Sequence, residues 1–275
     1  MIYDARCSDY VYAWVELDLQ TRAWALYAAS FSGGALDDDP VSLWEGDADY
    51  DPAALAVADR TVIWQVQPST SGSKTAELSR CYVWHLGDSE AKAAIESSGR
   101  FATPPTVSGD VVVISPRVRP DEGVFYGVTA YSLSDDLATR VDQLVMPQNV
   151  RPFRATRVGE RFAVSVEASY STGGLLGQMG TYVGTAEDGF FRLNREPSET
   201  PCGNGDTVII KSLASYFVVD LAKRQYAVLG SADRAVDYGD YPARAGECDL
   251  FATFATVKDA DTGYPATVAV RTFRL

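Results

Sequence analysis

Short apolar runs, each entered through a tight polar turn, recur along this chain at a nearly constant spacing. Thr61-Val62-Ile63-Trp64-Gln65-Val66 follows Asp59-Arg60, Val111-Val112-Val113-Ile114 follows Gly109-Asp110, and Phe162-Ala163-Val164-Ser165-Val166 follows Gly159-Glu160-Arg161. Thr207-Val208-Ile209-Ile210 follows Gly205-Asp206, and Leu250-Phe251-Ala252-Thr253-Phe254 follows Glu247-Cys248-Asp249. A proline-bearing segment leads into each of these units, and Ser8-Asp9 before Tyr10-Val11-Tyr12-Ala13-Trp14-Val15 fits the same template without its proline. The last turn residues fall at 9, 60, 110, 161, 206 and 249, intervals of 51, 50, 51, 45 and 43. An apolar run without alternation predicts a strand covered on both faces, and a Gly-Asp turn before it predicts a hairpin.

Each unit has room for two further strands, plainest at Ser215–Asp220 with Gln225–Leu229 and at Val124–Thr129 with Thr139–Val145. Four strands per unit of this length predict an all-β chain, a single six-bladed β-propeller domain over residues 1–275 built of four-stranded antiparallel blades. The sixth blade shows three clear strands, ending at Ala266–Phe273, and five- and seven-bladed rings remain alternatives. Helical periodicity is weak; Glu90–Ile95 reads as an outer strand. At the N-terminus, Asp18-Leu19 before Arg22–Leu26 offers a competing register, matched to Asp220-Leu221. The first register is preferred because it keeps the interval and makes Val41–Trp44 an outer strand. The incomplete sixth blade suggests a domain excised from a longer exported or anchored chain.

The proline-led connection, the Gly-Asp turn and the strand ending Val218-Val219-Asp220-Leu221 resemble the diffuse TolB-like and WD-repeat-like propeller superfamily. The chain lacks a consistent Ser-Pro-Asp-Gly turn, a Gly-His with Trp-Asp pair and a kelch double glycine. The resemblance therefore implies a fold and no particular activity, with an extracytoplasmic location as its weaker implication.

Composition narrows the partners. The hydrophobic fraction of 46% supports a substantial core. A net charge of −13, from 37 acidic and 24 basic residues, argues against nucleic acid as a partner. No run approaches the roughly 18 apolar residues of a membrane helix. The expected partner is a protein or small ligand, met by a monomer.

Candidate site residues lie on the connections between units, where propellers bind ligands. The richest is Glu45-Gly46-Asp47-Ala48-Asp49-Tyr50-Asp51-Pro52, whose Asp47, Asp49 and Asp51 have the alternation that gathers oxygens on calcium. Pro52 and Ala58 stand where an EF-hand needs Gly and Glu, and turn-forming aspartates account for the same residues. Cofactors are therefore expected to be none, with calcium the exception to consider. Asp237-Tyr238-Gly239-Asp240-Tyr241-Pro242 reads as the equivalent connection before the sixth unit and offers Asp240 and Tyr241. Arg151 and Arg154, with Arg157, form a basic cluster suited to a carboxylate or phosphate, or to pairing with nearby acids.

No catalytic residue is assigned. His85, the only histidine, sits in a strand, Tyr82–Leu86, and G-x-S-x-G and H-E-x-x-H are absent. The evenly spaced Trp24, Trp44, Trp64 and Trp84 read as packing between blades. The four cysteines form no C-x-x-C pair, and Cys7 with Cys248, at the turns of the first and sixth units, is the disulfide expected if the ring closes. The function expected is noncatalytic ligand or protein binding, with a channel-centred carboxylate hydrolase or lyase as the alternative.

Overall fold

The computed structural model describes residues 1–275 except 38, 168–174, 196–198, 213–214, 230–238, 246–247, 249, 264 and 275; for 239–245, 250–256, 265 and 267–274 it describes the backbone alone. The chain divides into two compact units, Met1–Pro152 and Phe153–Leu275. Every regular element among the described residues is a strand.

The first unit holds three sheets. The first joins β1 (Ile2–Cys7), β2 (Val11–Leu17) and β3 (Trp24–Ser32), with β4 (Ala35–Leu36) and β5 (Val41–Gly46) both pairing β3. The second runs β6 (Ala54–Ala58), β7 (Thr61–Val66), β8 (Ser79–His85) and β9 (Lys92–Ser97). The third has β10 (Thr106–Ser108) and β11 (Val111–Ile114); β12 (Arg117–Val118) and β14 (Arg140–Val145) both pair β13 (Phe125–Ser132).

The second unit holds the rest. Its sheets are β15 (Arg154–Val158) to β16 (Arg161–Val166), β17 (Gly180–Thr185) and β18 (Gly189–Leu193); then β19 (Cys202–Asn204), β20 (Thr207–Ser212), β21 (Ser215–Asp220) and β22 (Gln225–Leu229). The last is three-stranded, β23 (Gly239–Ala245), β24 (Leu250–Lys258) and β25 (Pro265–Arg274). All pairings are antiparallel between chain neighbours, except where the short β4 and β12 interrupt the order.

The apolar runs behave as their composition demands. In β7, Val62, Trp64 and Val66 enter the core shared with β2 and β3, while Ile63 points the other way, into the core shared with β11. Successive side chains of a strand face opposite sides, so a strand between two sheets must be apolar at every position. β20 repeats the arrangement: Val208 and Ile210 pack with β16 and β17, and Ile209 packs with Cys202 and Cys248. Each such burial contributes roughly 1.5–3 kcal/mol. The polar exception in β7, Gln65, is 2% exposed and donates from Nε2 to the Thr103 carbonyl at 3.1 Å. Thr103 in turn meets the Ser115 hydroxyl at 2.9 Å, so the Gln65 amide nitrogen is matched rather than stranded.

In four of the sheets the turn between the first two strands shares a backbone. Asp59, Gly109, Gly159 and Gly205 take φ of 49°, 56°, 57° and 57°, a conformation that glycine adopts freely and aspartate tolerates. Arg161, read above as a turn residue, opens β16. Glu90–Ile95 is strand as expected from Lys92 onward, and β5 at Val41–Gly46 settles the N-terminal register, with Asp18-Leu19 in the turn between β2 and β3.

Candidate functional site

The acidic connection between β5 and β6 is held by the long loop between β7 and β8. Asp47 Oδ1 accepts the Asp49 amide at 2.9 Å, a local turn. Asp49 accepts the Ser73 amide and hydroxyl, each at 3.0 Å, and these hydrogen bonds hold its carboxyl below the usual range. Tyr50 donates its hydroxyl to Glu77 Oε2 at 2.6 Å, which raises the phenol, while the Lys74 ammonium lies 4.8 Å from the ring centroid. Asp51 pairs with Arg100, whose other nitrogen donates to the Pro68 carbonyl. These carboxylates are committed to protein donors, and turn chemistry accounts for their spacing. Among the described residues no three His, Cys, Asp or Glu side chains gather as a metal site.

The three arginines do not share a single connection. Arg151 lies in the connection after β14 and donates to the Ala102 carbonyl at 3.3 Å. Arg154 is not on that connection: it opens β15, with its guanidinium 4.0 Å from the Phe153 ring and a hydrogen bond to the Phe153 carbonyl. Arg157, further along β15, lies 5.6 Å from the Phe162 ring and donates to the Glu160 carbonyl. Strand alternation sends Arg154 and Arg157 to opposite faces of their sheet.

Asp240 and Tyr241 lie in β23 rather than in a connection, with their backbones opposite Ala255 and Phe254. Pro242 misled the reading: proline marks connections, but it is also tolerated on an edge strand, and β23 is the edge of its sheet. Asp237 and Tyr238 lie outside the described residues.

The expected Cys7–Cys248 bridge is corrected. Cys248 is bonded to Cys202, with 5.7 Å between Cα atoms, and Cys7 is a free, exposed thiol. Cys202 opens β19, whose sheet packs through Ile209 and Tyr216 against Cys248, so the disulfide joins successive sheets. At the Cys7 turn, Ser8 instead donates to the Asp59 carbonyl.

Two features escaped the sequence reading. One is Arg100, which occupies the same repeat position as Arg151, an interval of 51 residues later, and was legible from that spacing. Each reaches back to the preceding connection, to Asp51 and to Ala102. The other is the group at His85, where Nδ1 meets Thr61 Oγ1 at 2.9 Å and Nε2 meets Asp136 Oδ1 at 2.6 Å. No local signal links residues 85 and 136.

No family model matches the chain, and no curated protein matches it in sequence. Among solved structures it is similar to the β-propeller domain of the Trilobed protease from Pyrococcus furiosus, described as having an open velcro topology. That match has 12% identity and a TM-score of 0.58 over 98% of this chain and 82% of that one. The acylaminoacyl peptidase of Pyrococcus horikoshii gives 12% and 0.57 over 98% of this chain, which spans 46% of the peptidase. The WD40 domain of coronin from Toxoplasma gondii gives 8% and 0.53, over 97% of this chain and 69% of that one. At these identities the likeness is one of fold: the chain is an all-β protein of antiparallel sheets with the fold of the β-propellers.

Proposed function

We propose that this chain is a noncatalytic binding propeller, a single domain whose six sheets are its blades, which recognises a protein or small ligand through the connections between them. The observation that carries the reading is the series of contacts Asp49–Ser73, Asp51–Arg100 and Arg151–Ala102. These polar groups brace the connections into a fixed surface, and Asp49 accepts hydrogen bonds that favour its charged form. A reaction centre built on carboxylates needs the opposite, two acids meeting with one held protonated. The coronin neighbour is a WD40 domain and the Trilobed protease neighbour a propeller domain, so a module that presents a surface suits both comparisons.

A second reading, a carboxylate-based hydrolase or lyase, is favoured by Asp4. Burial raises this carboxyl on β1 although Arg6 lies 2.6 Å away. The test is turnover of aryl glycosides, uronate oligosaccharides and aminoacyl amides by the wild type and by Asp4→Asn. The binding reading expects no turnover above the variant's background. A rate that falls by about 10² or more in Asp4→Asn would establish the enzyme instead.

A further inference from the structure

The guanidinium of Arg117 meets no acid and no hydrogen-bond acceptor among the described residues, and its Nε is buried in that state. Arg117 opens the short strand β12 and is half-buried. Packing alone holds its side chain in place. Cζ lies 5.3 Å from the ring centroid of Tyr126, which is 6% exposed. The chain also runs over Gly99, where a Cβ would stand 3.3 Å from Nε. A cation fixed on an aromatic face keeps its hydrogen-bonding edge for another partner. Comparable residues nearby are already engaged. Gln67, one repeat earlier, accepts the Phe101 amide at 3.1 Å, and Arg119 lies 3.6 Å from Glu122.

Two buried hydroxyls stand beside this arginine. Ser79 of β8 and Ser97 of β9 are cross-strand partners, so their side chains share a face. It is the face that Cys81 and Val83 turn toward the third sheet. Ser97, 2% exposed, accepts the Arg117 amide at 2.9 Å, and its own proton has no acceptor among the described residues. Ser79 is 0% exposed, and its hydroxyl has no partner among them at all. Buried polar groups are seldom left unmatched, because doing so forfeits their hydration. Here the unmatched groups can all donate, and an anion is what completes such a set.

We propose that Arg117, with Ser97 and Ser79 behind it, forms a carboxylate-binding site at the connection from the second sheet to the third. The guanidinium fork takes the carboxylate oxygens, and the serine hydroxyls donate from the side of the sheet. One cation with neutral donors matches a single carboxylate, and the net charge of −13 opposes a polyanion at long range. The assignment rests on the binding reading above and names a ligand chemistry for it. A free carboxylic acid and an acidic side chain of a partner protein both offer that chemistry.

Titration calorimetry in Tris chloride separates the two sources. The probes are sodium acetate and an end-capped hexapeptide of alternating glutamate and leucine, with the glutamine–leucine hexapeptide as comparison. Binding of the carboxylate probes is expected to weaken about tenfold or more in Arg117→Gln and about threefold in Ser79→Ala. Arg117→Lys keeps the charge without the fork and should fall between wild type and Arg117→Gln. Tighter binding of the glutamate peptide than of acetate assigns the carboxylate to a protein partner; equal affinity per carboxylate assigns it to a free acid. Ser79→Ala should leave the thermal midpoint of the ligand-free protein unchanged or raised, and a lowered midpoint would overturn the place of Ser79 in the site. Binding of neither carboxylate probe, equal binding of the glutamine peptide, or binding that Arg117→Gln leaves unchanged would overturn the site and leave the binding reading standing. The binding reading itself falls only by the Asp4-dependent turnover described above, so the two failures are distinguishable.

Discussion

His85 Nε2 lies 2.6 Å from Asp136 Oδ1, and this contact ties the end of β8 to the turn between β13 and β14. The other Asp136 oxygen accepts Lys92 Nζ, also at 2.6 Å. Asp136 and Leu137 both have positive φ, 57° and 66°, an unfavourable backbone for non-glycine residues. Leu137 offsets that cost by plugging the core between the second and third sheets at 1% exposed, and Asp136 by its two donors.

Those donors, Lys92 first and His85 second, hold the Asp136 carboxyl below its ordinary range. A carboxyl whose folded pKa is depressed contributes stability in full above its unfolded pKa, about 4, and loses it as the pH falls through the lower folded value. Asp136→Asn is therefore expected to cost about 1 kcal/mol near neutral pH. The gap between variant and wild type should close as the medium is acidified below about pH 4. Urea midpoints measured across that range check it; a gap that persists unchanged at low pH would rule out the carboxylate as its source.

Arg100 and Asp51 are each about a third exposed or less, at 26% and 34%. A partly screened pair of this kind is expected to couple by about 0.5–1 kcal/mol in a double-mutant cycle of Arg100→Met and Asp51→Asn. Purely additive effects would show that the connections are braced by backbone contacts alone, such as the Asp51 amide to the Gln67 carbonyl.

The cysteines should separate chemically. The Cys202–Cys248 bridge spans 46 residues of sequence, and chain-entropy closure of a loop that long is worth about 4 kcal/mol. Reduction should lower the denaturation midpoint accordingly. Of the two free thiols, Cys7 is exposed and Cys81 buried, where desolvation pushes its ionisation up. A disulfide-exchange reagent should titrate one thiol quickly in the native protein and the second only on unfolding. Two fast thiols would contradict the placement of Cys81.

Gly46→Ala should disturb the packing of Trp24 at the end of the first sheet. A Cβ at this position would run into the indole of Trp24, whose Nε1 donates to the Tyr50 carbonyl at 3.2 Å. Displacing a buried ring costs about 1–3 kcal/mol. Loss of stability, together with a change in tryptophan fluorescence, is the expected outcome; an unperturbed spectrum would mean the ring lies elsewhere.

Much of this fold was legible along the chain because burial on two faces leaves a local mark. A strand such as Val111–Ile114 must be apolar at every position, and the turn before it needs a residue that accepts positive φ. Both constraints act within a few residues, so strand positions, the three-stranded last sheet and the outer strands at Val41 and Lys92 could be read directly. The reading failed where one residue type serves two purposes. Pro242 marked a connection but sits in the edge strand β23, and Arg154, grouped by sequence with Arg151, belongs to a strand with a different partner.

The sequence by itself determined which segments are strands and how often they recur, because those properties follow from side-chain alternation and turn chemistry. Only the tertiary structure decided which polar groups meet. The partners Asp51 and Arg100, His85 and Asp136, and Cys202 and Cys248 are 46 to 51 residues apart. Ser97 meets the amide of Arg117 only through the packing of the second sheet against the third. Contacts across sheets depend on register and packing, which no local pattern encodes.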